Sequence, residues 1–411
     1  MNRLLRFVFF ATQRCVGSLG GCVMLLLFAA CQPNVSSHWV ATWATAEQLV
    51  EPYNCPPSPG LEGNILRQIV EVSIGGESVR LRFSNAYGDE PLELRSVSIS
   101  DALTAGGDYA VDEETTTPVT FADECSVILM PGQEIVSDPV AFRLEPRADV
   151  AIDIHYGKAS STVVTGHPGS RTTSYLLTGG ATDWASALRV NHWYTIESVE
   201  VERSDDARAI AVLGNSITDG RGSTTNGQDR WTDNLSRRLL LNDATANVAV
   251  LNLGLGGNCV LEGGLGPTAK SRYVHDLFEQ KGVSHVILFE GVNDLGGAEN
   301  GLSKANALIS FYKKLIDEAH EQGLIVIAAT ITPFMGNGYG TENHEGGRQQ
   351  FNEWVRNTSV VDGFIDFDHA VRSAIDTLQL DSAYLYENDF LHPNALGYQI
   401  MANSIDLSLF E

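Results

Sequence analysis

The rhythm of this chain changes near residue 206, and that change constrains the fold more than any other feature. Before it, short runs of alternating or β-branched residues recur at Arg67 to Ile74, Val79 to Phe83, Leu92 to Ile99, Val150 to His155 and Trp193 to Val201. Turn signals such as Gly-Gly-Glu and Tyr-Gly-Asp-Glu-Pro separate them, and no long helical periodicity intervenes. The pattern predicts an antiparallel β-sandwich-like domain over residues 38–205. After it, Ala209 to Leu213, Val248 to Leu253, His285 to Phe289, Leu324 to Thr330 and Phe364 to Phe367 are short apolar runs. Segments with helical spacing lie between them, such as Trp231, Leu235 and Leu239. Buried strands alternating with helices predict a parallel sheet sandwiched by helices, an α/β domain over 206–411. In such sheets ligands bind beyond the carboxyl ends of the strands.

The length of 411 residues accommodates both domains. Against 27 Lys plus Arg stand 51 Asp plus Glu, a net charge of -24 that disfavours nucleic acid and anionic lipid surfaces as partners. At the start, Arg3, Arg6 and Arg14 precede a charge-free stretch of 16 residues from Cys15 to Ala30. This predicts a signal segment over 1–30, too short for a membrane span of about 18 or more apolar residues. Leu27-Phe28-Ala29-Ala30-Cys31 resembles the lipobox of bacterial lipoproteins, with Cys31 as the lipid-modified residue and 31–37 as a tether. Membrane association is then expected only through that anchor. Removal of 1–30 leaves 24 basic against 51 acidic residues, a charge of -27, as expected of a body soluble in salty surroundings. Cys55 and Cys125 are a candidate disulfide in an exported protein. No CxxC pair or HExxH run occurs, so neither a metal nor another cofactor is expected.

Four segments carry candidate chemistry. The first apolar run of the α/β half leads into Gly214-Asn215-Ser216-Ile217-Thr218-Asp219-Gly220, where Ser216 is either a nucleophile or a cap of the next element. The second leads into Asn252-Leu253-Gly254-Leu255-Gly256-Gly257-Asn258, whose glycines can leave amide groups open to an oxyanion or simply turn the chain. Without GxGxxG spacing, a dinucleotide loop is disfavoured. After the third, Asn293 of Glu290-Gly291-Val292-Asn293-Asp294 can offer its NH2 group to developing negative charge, or form a turn. Near the end, Asp389 and His392 of Asn388-Asp389-Phe390-Leu391-His392-Pro393-Asn394 can meet on one tight loop as a carboxylate–imidazole pair, a metal half-site or a cap.

In combination and in this order, the four segments resemble the SGNH hydrolases, the GDSL-type esterases and lipases. The resemblance covers about residues 207 to 411. It implies a three-layer α/β/α domain, Ser216 as nucleophile, Asp389 and His392 as its triad partners, and an oxyanion hole of Ser216, Gly257 and Asn293. This chain has Asn215 where the family's GDS motif has Asp. The first half is similar to the β-rich region that precedes the catalytic domain in a secreted branch of that family. Trp39 to Ala44, Phe83 to Asp89 and His167 to Tyr175 carry that likeness. Asn215, Asp219, His167 and Arg171 are candidate substrate contacts.

The resemblance implies an extracytoplasmic serine esterase that needs no cofactor. The expected substrate is a small ester or an acetylated polysaccharide, from which acetyl or other short acyl groups are removed. A broad carboxylesterase or lipase acting on lipid or aryl esters is the alternative. A non-catalytic carbohydrate-binding lipoprotein is the second. A bacterial cell-envelope lipoprotein is the expected location, otherwise a periplasmic or secreted one.

Overall fold

The computed structural model describes residues 37–104 and 107–411. The expected signal segment, tether and Cys31 fall outside those residues, apart from Ser37. The first half is built of antiparallel sheets. Four strands, His38–Ala44, Ile196–Arg203, Val79–Ser84 and Glu134–Val136, form one of them. A larger, seven-stranded sheet is centred on Ile65–Glu71, Asp149–Tyr156 and Leu92–Asp101, and a small three-stranded sheet joins Trp193–Tyr194, Thr165–His167 and Gln48–Leu49. Alternation drives the pairing. In Val79–Ser84, Val79, Leu81 and Phe83 are fully buried while Arg80 and Arg82 reach the polar side.

The second half holds a five-stranded parallel sheet in the order Val248–Gly254, Arg208–Gly214, Val283–Phe289, Ile325–Ala329, Gly363–Ile365. Both faces are covered, which is why its strands read as continuous apolar runs. In Arg208–Gly214, Ala209, Ala211 and Leu213 join one core cluster while Ile210 and Val212 join the other. The second cluster includes Trp231, Leu235 and Leu239 of the helix Trp231–Leu240.

The first cluster continues without a break into the β-rich half, through Val40, Leu81 and Val199. That half also closes an edge. Val248–Gly254 is an outer strand, and its free side is met by Ser73, whose Oγ accepts from the Val250 amide at 3.1 Å and donates to the Val250 carbonyl at 3.0 Å. A parallel bridge pairs Thr45 with Asn252 nearby. An exposed strand edge invites stray pairing, so the β-rich half protects the sheet it packs against.

Candidate active site

Ser216, Gly257 and Asn293 follow the ends of three strands of the parallel sheet, while Asp389 and His392 lie on the loop before the helix Ala395–Asn403. The strand Arg208–Gly214 runs directly into the one-turn helix Ser216–Asp219. Gly214 permits this close reversal: a Cβ there would sit 2.2 Å from Thr218 Oγ1. Asn215 caps the helix, its Oδ1 accepting from the Ile217 amide at 3.0 Å while its Nδ2 donates to Glu290 Oε2 at 3.0 Å. It is 1% exposed and wholly committed inward, so the expectation of a substrate contact at Asn215 is corrected. Both ends of its side chain are engaged away from the cleft, which it does not line.

Ser216 is left at the helix start facing the last loop of the chain. Its Oγ lies 2.8 Å from His392 Nε2, and His392 Nδ1 lies 2.6 Å from Asp389 Oδ2. Asp389 is itself fixed, because its Oδ1 accepts from the amides of Leu391 and His392 at 2.9 and 2.8 Å. Burial alone would raise the Asp389 carboxyl, but the His392 ring and these amides hold it below the ordinary carboxylate range. The loop bends through left-handed residues at Glu387, Asn388 and Phe390, with φ of 48°, 57° and 55°. The helix that follows, Ala395–Asn403, is capped by Asn394, with Pro393 just before the cap.

Three candidate oxyanion donors line one cleft. Gly257, at φ +67°, lines the same cleft as Ser216, and neither its amide nor that of Ser216 donates to another described residue. Asn293 also lines the cleft, its Nδ2 donating one hydrogen bond to the Asn258 carbonyl at 2.7 Å and its Oδ1 accepting from Tyr339 at 3.1 Å. One amide hydrogen of Asn293 therefore remains for a ligand. Asp294 ties down the neighbouring loop, accepting from the amides of Val260 and Leu261 at 2.7 and 3.0 Å. Sequence reasoning passed over Tyr339 and Asn337, which hold Asn293 and, through Asn337 Nδ2 to the Asp389 carbonyl at 2.7 Å, the His392 loop. The run Met335-Gly336-Asn337-Gly338-Tyr339 after the fourth strand was their only trace.

Asp219, at the end of the nucleophile's helix, is where the two halves meet. Its Oδ1 lies 2.9 Å from His167 Nε2, and its Oδ2 accepts from Arg171 at 2.5 Å. Burial raises this carboxyl, but the Arg171 charge and the His167 hydrogen bond outweigh it and keep it below the ordinary range. His167 is buried, with its other ring nitrogen 2.8 Å from the Ala46 carbonyl oxygen, so it braces the site instead of touching substrate. Arg171 does line the cleft. Cys55 and Cys125 are separate free thiols: Cys55 Sγ points at the Thr162 carbonyl, while Cys125 is exposed after the turn at Phe121–Glu124. The candidate disulfide is therefore not formed, because the two turns that carry these residues lie on different parts of the β-rich half.

The cleft has a volume of about 670 Å³, and the β-rich half supplies one of its walls, including Glu51, Tyr53, Asn54, Arg171 and His192. Tyr53 is 76% exposed. Leu265, Leu391 and Pro168 are the aliphatic residues of the lining, beside the rings of Tyr53 and Tyr339.

Residues 212–400 match the model of the GDSL-like Lipase/Acylhydrolase family. Among curated proteins there is no match. Solved structures similar to this chain include an acetylxylan esterase from Geobacillus stearothermophilus, 20% identical, covering 50% of this chain and 95% of that one with a TM-score of 0.38. A carbohydrate acetylesterase family member from Sinorhizobium meliloti is 14% identical, over 48% of this chain and 94% of its own, with a TM-score of 0.37. A member of the lipolytic protein G-D-S-L family from Veillonella parvula is 22% identical, over 50% of this chain and 98% of its own, with a TM-score of 0.33. Residues 212–400 thus form a GDSL-like lipase/acylhydrolase domain.

Proposed function

We propose that the protein is an exported serine esterase that removes acetyl or other short acyl groups from carbohydrates. The observation that carries this reading is an unbroken hydrogen-bond chain from Ser216 through His392 to Asp389, opening into a polar cleft. With Nδ1–H donated to Asp389, the His392 Nε2 lone pair takes the Ser216 proton as Oγ attacks the ester carbonyl. The tetrahedral oxyanion is received by the Ser216 and Gly257 amides and by Asn293 Nδ2. His392 then protonates the departing alcohol. Water, deprotonated by the same ring, releases the acid from Ser216.

The lining supports a sugar alcohol and a short acyl group. Its polar side chains and the exposed Tyr53 ring suit hydroxyls and a sugar face, and Leu265, Leu391 and Pro168 suit a short acyl group. Export and a lipid anchor at Cys31 are part of the proposal on the strength of the N-terminal sequence. Hydrolysis rates across acetyl to decanoyl esters, measured beside acetate release from acetylated xylan and pectin, test the substrate class. Rates should fall steeply with chain length and acetate should appear. A maximum at long chains would make the protein a lipase, and glycan binding without turnover would make it a carbohydrate-binding protein.

A further inference from the structure

Away from the nucleophile, a second group of ionisable residues closes around a cavity of about 110 Å³ between the two halves, lined by Glu47, Tyr87, Glu134, Arg272, His275 and Asp276. Ligand atoms of Glu134, Glu197 and His275 all lie within 4.8 Å of one another. Glu134 and Glu197 come from two strands of the four-stranded sheet, and His275 from a π-helical turn, Val274–Phe278, in the other half. Such turns are frequent at functional sites. Glu47 is 6% exposed, and both of its carboxylate oxygens lack a hydrogen-bond partner among the described residues; the Ser84 hydroxyl beside it stays outside hydrogen-bonding geometry. Glu197 Oε2 is likewise buried without a hydrogen bond, with Arg82 Nε 3.8 Å away, while its Oε1 accepts from Gln280 Nε2 at 3.0 Å. Buried, unpaired carboxylate oxygens are costly unless a cation or proton meets them.

The arrangement around the imidazole defines the cation. His275 Nδ1 lies 3.0 Å from Asp276 Oδ1, while Nε2 faces Glu134 Oε1 at 3.0 Å and Glu197 Oε1 at 3.6 Å. A carboxylate on one ring nitrogen with the other aimed at an oxygen donor set is the outer-shell pattern of metal-binding histidines. Arg82 contributes positive charge from 3.6 Å to Glu134 and 3.8 Å to Glu197, but its hydrogen bonds go to Glu200. We infer that Glu134, Glu197 and His275 Nε2, with Glu47 beside them, bind a divalent transition-metal ion of the Zn²⁺ or Mn²⁺ type across the seam between the two halves. The imidazole selects against Ca²⁺ and Mg²⁺, which take oxygen ligands alone. Asp276 also pairs with Arg272, whose guanidinium donates to the Leu253 and Gly214 carbonyls at 2.7 and 3.0 Å. The ion would therefore brace the strand ends that carry the catalytic loops.

The test uses the full exported protein, stripped with a chelator and titrated separately with Zn²⁺, Mn²⁺ and Ca²⁺. Binding is read by metal analysis after gel filtration and by melting temperature, independently of ester turnover. One Zn²⁺ or Mn²⁺ per chain is expected, with a rise in melting temperature of several degrees and at least tenfold weaker binding of Ca²⁺. His275→Ala and Glu134→Gln should each weaken binding at least tenfold. Glu134→Gln keeps shape at a half-buried position, so its result stands if His275→Ala does not fold. Absence of stoichiometric binding, binding unchanged in Glu134→Gln, or preference for Ca²⁺ would each overturn the assignment and leave His275 as a protonated bridge between carboxylates.

Discussion

The cleft and the seam cavity each contain a histidine whose Nδ1 rests on an aspartate. His392 lies 2.6 Å from Asp389, and His275 lies 3.0 Å from Asp276. The difference is on the other nitrogen. His392 Nε2 faces a serine hydroxyl at 2.8 Å, and His275 Nε2 faces two glutamates. A hydroxyl has a proton to give, so the first ring can act as a base. Carboxylates have none, so the second ring can only hold a proton or share a metal. The same side-chain pair can thus serve two chemistries, and the third group determines which.

Substitutions can break this contrast, and the largest effect is expected at the nucleophile. Ser216→Ala should lower kcat/KM for an acetyl ester by about 10⁴-fold or more while leaving the melting temperature and Zn²⁺ binding in place. His392→Ala should do the same, whereas His275→Ala should lose the metal-dependent rise in melting temperature. Activity retained in either of the first two variants would remove the distinction.

Next in size is the joint between the halves. Asp219→Asn leaves Arg171 and His167 facing a neutral amide, and breaking such a buried pair costs about 3 to 5 kcal/mol. The Asp219 carboxyl is held below its ordinary value, so its stabilisation is present above the unfolded value and lost as pH falls through the folded one. Denaturant melts should show the variant weaker at neutral pH and less sensitive to acid. Asn293→Ala should cost on the order of 100 to 1000-fold in kcat with little change in KM, as expected of a donor that acts on the oxyanion. A smaller effect is expected at Glu290, which burial pushes up to about 8 despite the nearby Arg272 charge. An acid raised in the folded state costs stability as pH climbs from its unfolded value toward 8, so Glu290→Gln should flatten the stability profile across that interval.

How far each region was legible in the sequence follows from how its residues are spaced. Ser216, Gly257 and Asn293 lie in short contiguous blocks at strand ends, where an apolar run stops and small or polar residues begin, and Asp389 and His392 share one block just before the last α-helix. The parallel sheet was legible for the same reason. Asn215 and Asp219 border the nucleophile in the chain, yet Asn215 turns back to cap its helix and Asp219 is held by the other half, contacts that no local pattern encodes. Tyr339 and Asn337 act from a loop with no periodicity. The seam cluster was invisible: Glu47, Glu134, Glu197 and His275 share no motif and meet only when antiparallel strands and a π turn are packed together. Spacing rules for metal sites find only ligands close in sequence, and these four residues are not.

The central claim is that Ser216 is the activated nucleophile of this fold. Incubating the folded protein with a fluorophosphonate and mapping the adduct by peptide mass spectrometry tests it most directly. A single stoichiometric adduct on Ser216 is expected, and it should disappear in His392→Ala. Stoichiometric labelling of another residue, or no labelling of a protein that hydrolyses acetyl esters, would contradict it.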